Sequence, residues 1–184
     1  MSKTLTYGLY SFVPLALGVL ADNLVAAMYF YLERIKSICV TCFQPIFQGA
    51  FLVKSFLNLR NGSYVSAIIA ASVFFDVIIF AFAEDIVEFV KFDDEASLLL
   101  LALTVNICVF SYSIIYLFLL PNKLTRLLAL SMYFQSLVIF GSLLLFYFSE
   151  LPAIFILLFA EAGYFSYLVY HYLKNRFVVV DGVS

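Results

Sequence analysis

Residues 97–120 read SLLLLALTVNICVFSYSIIYLFLL, an apolar run with no charged side chain. A helix needs about 20 predominantly apolar residues to cross the ~30 Å hydrocarbon core of a bilayer, so this stretch alone is long enough to span it. It is bounded by Asp93-Asp94-Glu95 on one side and Pro121-Asn122-Lys123 on the other, which places its ends at water. The same pattern of a long apolar run followed by charge or turn residues recurs along the chain.

Composition fixes the class that this pattern suggests. The 184 residues are 65% hydrophobic and 12% charged, with a mean hydropathy of +1.08. Soluble domains average about 45–50% apolar and about 25% charged, so the chain reads as a single all-α integral membrane domain over 1–184. The aromatic residues are Phe and Tyr without Trp, leaving Tyr as the interfacial anchor. A net charge of −2 gives no basis for binding nucleic acid.

Six spans are predicted, at 5–32, 38–57, 63–83, 97–120, 127–148 and 152–173. Glu33-Arg34-Ile35-Lys36 is read as the first loop, and Asn58-Leu59-Arg60-Asn61-Gly62, with its Asn-Gly turn, as the second. Pro152 suits the first turn of the last helix, and Pro14 and Pro45 should kink the spans that hold them. The opening segment reads as a retained span, because its apolar run is too long for a cleaved leader. In this six-helix bundle Lys3, Lys54, Arg60, Lys123, Arg126, Lys174 and Arg176 fall on one side, against Arg34, Lys36 and Lys91 on the other. Such a bias puts both termini in the cytoplasm, for a chain read as residing in a bacterial plasma (inner) membrane.

Three carboxylates, Asp22, Asp76 and Glu161, lie inside these predicted spans, with no Lys or Arg expected at their depth. An ionisable group in hydrocarbon costs roughly 2.5–3.5 kcal/mol even on lenient scales, so such groups usually face a polar interior. Counted inward at about 1.5 Å per residue, these three acids, Asn106 and Gln48 all lie roughly 10–15 Å below the outer boundary. The expectation is one polar pocket in the outer half of the bundle, with Asp22, Asp76 and Glu161 as candidate catalytic residues. Asn23, Gln48 and Asn106 would be its polar lining. Two carboxylates brought close cannot both ionise cheaply, which leaves an acid beside a base. General acid/base chemistry, a cation site and a proton relay all use that arrangement. Interhelical hydrogen bonding is the structural alternative.

Other motifs carry less. Cys39-Val40-Thr41-Cys42 has the spacing of a thiol oxidoreductase, but Cys108 leaves no second pair, and two small residues one turn apart account for it. His171, the single histidine, sits at the interface in Tyr170-His171-Tyr172. One His and three dispersed Cys cannot assemble a zinc or haem ligand set, so neither a metal nor a cofactor is expected. The acidic stretch Glu84 to Glu95 lacks the calcium-loop register. Its interleaved Ile86, Val87, Phe89, Val90 and Phe92 predict a short amphipathic helix on the outer interface.

Gln44-Pro45, Phe74-Phe75-Asp76-Val77-Ile78, Gly141-Ser142-Leu143-Leu144-Leu145-Phe146 and Ala162-Gly163-Tyr164-Phe165 together resemble the YhhN-type lysoplasmalogenases. That resemblance implies hydrolysis of the vinyl-ether bond of lysoplasmalogens, with Asp76 matching the family's first acid and Ser149-Glu150 its second. Gln44 stands where the family has Lys, Phe75 where it has Gly, the fourth span lacks a His, and two spans are missing.

Three functions therefore stand open. A lysolipid hydrolase, the reading preferred on sequence, takes membrane lipid as its partner. A small cation- or proton-coupled transporter or binding protein would use Asn106 and Gln48 as neutral ligands. An accessory subunit would present its Phe-rich surface to another membrane protein.

Overall fold

The computed structural model describes residues 12–46, 48–49, 63–90, 96–149 and 152–181, and among these every regular element is helical. In chain order they are α1 (12–20), α2 (Asn23–Ile46), α3 (Ser63–Ala81), α4 (Ala83–Val90), α5 (Ala96–Ile114), α6 (Thr125–Ser149) and α7 (Ile154–Asp181). A π-helical turn, Ile115–Leu119, extends α5. Ala96–Leu119, Thr125–Ser149 and Ile154–Lys174 are three helices long and apolar enough to cross a membrane, consistent with an integral membrane protein.

The first boundary differs from the sequence expectation. Glu33-Arg34-Ile35-Lys36 is not a loop, because α2 runs through it without a break. Glu, Arg, Ile and Lys are all compatible with a helix interior, and this stretch holds no Gly or Pro to stop one. The chain turns instead at Ala21 and Asp22, where Asp22 Oδ1 accepts the Val25 N–H at 2.7 Å and caps α2. The chain bends sharply there: a methyl group added at Gly18 would lie 3.9 Å from Ala26 Cβ. Eight residues of unbroken helix would separate those positions by about 12 Å. The predicted span 5–32 thus contains a sharp bend between two helices.

The later boundaries lie close to those predicted. The chain leaves α5 through a turn at Leu120–Lys123, where Asn122 Nδ2 donates to Phe118 O at 2.7 Å. Lys123 adopts a φ of 56° to complete it. At the start of α7, Pro152 O accepts the Phe155 N–H at 3.0 Å. The predicted amphipathic helix forms as α4, with Val90 buried, Ile86 and Val87 against the core, and Glu84, Asp85 and Glu88 exposed. Glu84 and Asp85 occupy its first turn, where the helix dipole favours acids. The second predicted loop, the Asp93-Asp94-Glu95 stretch and Glu150 lie outside the described residues.

α5 is the central helix. It packs against α2, α3 and α7, while α3 and α7 make no substantial contact with each other. Leu101, Val105 and Val109 of α5 are fully buried, joined by Leu17, Tyr29, Phe75, Ile79 and Leu157. The periphery is apolar too: Val19, Leu137, Leu144 and Phe148 are largely exposed, whereas Lys36, Thr104, Ser111, Ser131 and Glu161 are buried. A surface that is oily outside and carries its polar groups within suits a lipid solvent, in which apolar side chains need no cover. α6 and α7 pack tightly at Gly163, where a Cβ would lie 2.8 Å from Val138 Cγ2.

Candidate functional site

Running α2 through the expected loop brings Lys36 into the bundle. Its Nζ donates to Glu161 Oε1 at 2.8 Å, and the two side chains are only 4% and 6% exposed. The expectation that no basic residue reaches the buried acids is therefore corrected. Gln135 Nε2 of α6 approaches the same oxygen at 3.4 Å, so α2, α6 and α7 meet on one carboxylate. Cys108 of α5 lies within electrostatic reach of both charges, as does the buried Tyr29 of α2.

Asp76 belongs to a separate centre. Asn106 Nδ2 donates to Asp76 Oδ1 at 3.0 Å and stands 3.3 Å from Oδ2, linking α5 to α3. No Lys, Arg or His pairs with Asp76 among the described residues, unlike Glu161. The amide oxygen of Asn106 and the hydroxyl of Ser72, one turn before Asp76 on α3, are buried without a hydrogen-bond partner.

The two centres sit on opposite flanks of α5. Asn106 and Cys108 are two residues apart, a rotation of roughly 200° and a rise of about 3 Å along the axis. α3 and α7, which carry Asp76 and Glu161, both pack on α5 and make no substantial contact with each other, so α5 stands between the two acids. The single pocket expected from sequence is divided into an ion pair and a lone carboxylate with an amide. This separation does not place an acid beside a base.

The remaining predicted residues lie elsewhere. Asp22 is exposed and caps α2 at the break between α1 and α2, away from both centres. Its neighbour Asn23, the first residue of α2, is exposed as well. Gln48 Nε2 approaches the Tyr116 hydroxyl at 3.4 Å near the far end of α5. Cys39 and Cys42 are both free thiols, the first buried and the second exposed. His171 lies against the rings of Tyr167 and Tyr170. Among the described residues no group of three His, Cys, Asp or Glu side chains is arranged to hold a metal ion.

No protein-family model, curated protein or solved structure matches this chain. The functional reading therefore rests on geometry and chemistry.

Sequence reasoning missed Lys36 and Gln135. Lys36 was legible in principle, since residues 23–44 contain no helix breaker and charge alone does not end a helix. Gln135 carries no local signal, because its role comes from the packing of α6 on α7.

Proposed function

We propose that this chain is a six-span protein of a bacterial plasma (inner) membrane that binds or moves protons or small cations, with Lys36 and Glu161 as its charge switch. The spans are α1, α2, α3, α5, α6 and α7, and α4 lies at the outer interface. With the first turn at Ala21 and Asp22, Arg34 and Lys36 leave the external loops. The basic bias that puts both termini in the cytoplasm is then sharper, with Lys91 alone on the outer side.

The observation that carries this reading is the 2.8 Å contact between two oppositely charged, buried side chains on α2 and α7. A buried pair is tolerated while both members are charged. Breaking it by neutralising one costs about 3–5 kcal/mol, because the other charge is left uncompensated. A proton arriving on Glu161 would change the centre from neutral to a lone ammonium on Lys36. That excess charge biases α2 against its seat on α7, the kind of two-state element that coupled membrane proteins use. The test is proton or cation flux in proteoliposomes. Wild type should carry a flux that Glu161→Gln abolishes while the protein still inserts; equal flux in both overturns the reading.

The lysolipid-hydrolase reading is favoured by a different observation. Asp76 is partly exposed, positioned by Asn106 and without a cationic partner, as a carboxylate acting as base would be. Vinyl-ether lysolipid turnover that is lost in Asp76→Asn but kept in Glu161→Gln would establish it. If neither flux nor turnover is detected, the accessory reading stands, with the exposed Phe and Leu side chains of α6 facing another membrane protein.

A further inference from the structure

Among the described residues, the hydroxyl groups of Thr104, Ser113, Ser131, Ser136, Ser142 and Ser149 bond back to a carbonyl in the preceding turn of their helix. This is the ordinary way for a helical Ser or Thr to satisfy itself where no water is at hand. Ser72 does not do so. It is 92% buried and its hydroxyl oxygen, like that of the buried Ser111 on α5, has no partner. Side chains on a helix lean toward its N-terminus, so the Asp76 carboxylate overhangs the turn that carries Ser72.

The amide of Asn106 is orphaned in a complementary way. An ionised carboxylate only accepts hydrogen bonds, so Asp76 fixes the NH2 group of Asn106 toward itself. The amide oxygen is then left buried with no donor. One uncompensated carboxylate, one amide oxygen and one hydroxyl oxygen thus lack a partner that is positive and prefers oxygen.

We infer that Asp76, Asn106 and Ser72 form a binding site for an alkali-metal cation between α3 and α5. Hard cations take carboxylate, carbonyl and hydroxyl oxygens, and a single carboxylate neutralises one charge. A divalent ion would leave a net positive charge in the bundle. This site lies on the far flank of α5 from the Lys36–Glu161 pair and goes beyond the switch proposed there.

The experiment is thermal unfolding of the purified full-length protein in detergent, titrated with sodium or potassium chloride against choline chloride at equal ionic strength. Wild type should be stabilised saturably by an alkali cation and not by choline. Asp76→Asn should abolish that response, and Ser72→Ala should raise the half-saturating concentration roughly fivefold, the weight of one neutral ligand. If Asp76→Asn fails to fold, Ser72→Ala carries the test. An equal response to choline, or an unchanged alkali response in either variant, overturns the site. A response to pH without one to alkali cation also overturns it and makes Asp76 a proton site. Binding is read here at equilibrium, so absence of flux would sink the switch and leave this site standing; absence of binding would do the reverse.

Discussion

Lys36 and Glu161 are 125 positions apart in the chain, yet their charged atoms lie 2.8 Å from each other in the interior of the bundle. The pair joins α2 to α7 across the flank of α5, and Gln135 adds α6 to the same oxygen. Neither residue would be stable there alone.

We therefore expect Lys36→Met and Glu161→Gln each to lower stability by about 3–5 kcal/mol. The double variant Lys36→Met/Glu161→Leu should recover most of the loss, since an apolar pair leaves no charge behind. Thermal unfolding of the four proteins in detergent measures this, and a double variant as unstable as the sum of the singles refutes it.

Asp22 acts through its side-chain oxygen on the Val25 N–H. Asp22→Ala should cost about 1 kcal/mol and Asp22→Ser much less, because serine also caps. Activity in flux or lipid turnover should persist in both. Loss of activity in the well-folded Asp22→Ser protein would restore Asp22 to the working machinery.

The turn at Ala21 and Asp22 is open to a direct topological test. With Cys39, Cys42 and Cys108 replaced by Ala, Asp22→Cys should react with an impermeant thiol reagent added from outside. Leu32→Cys, immediately before the loop expected from sequence, should not, since Leu32 is buried. The opposite labelling pattern would put the turn back at 33–36.

Gly163 and Gly141 separate close packing from open space. A Cβ at Gly163 meets Val138 at 2.8 Å, whereas one at Gly141 finds nothing within 4 Å. Gly163→Ala should destabilise the α6–α7 contact by about 1–3 kcal/mol through overpacking. Gly141→Ala should be neutral or stabilising by up to about 1 kcal/mol, since it restricts the unfolded chain. Melting temperatures of the two variants decide the matter, and equal shifts would contradict the tight crossing.

The three long apolar helices Ala96–Leu119, Thr125–Ser149 and Ile154–Lys174, the turn at Pro121-Asn122-Lys123, the start of α7 after Pro152 and the amphipathic α4 were all legible in the sequence. Each depends on local composition: hydrophobic length, a turn residue, or acids alternating with apolar positions. Glu33-Arg34-Ile35-Lys36 misled for a reason that is also local. A charge cluster looks like an exit from the membrane, but helix formation depends on backbone preference, and these residues are compatible with a helix.

By itself the sequence determined that this chain is helical and apolar on its outside, because those properties follow from the number and order of its side chains. It also marked Asp76 and Glu161 as unusual by their isolation within apolar runs. Which group partners each acid was decided only by the tertiary structure. Lys36 reaches Glu161 because α2 passes unbroken beside α7, and α5, packed between α3 and α7, keeps Asp76 apart with Asn106. Partnership between helices depends on rotation about each axis, and a periodicity of 3.6 residues per turn fixes relative angles within one helix while leaving the angle between two helices to their packing.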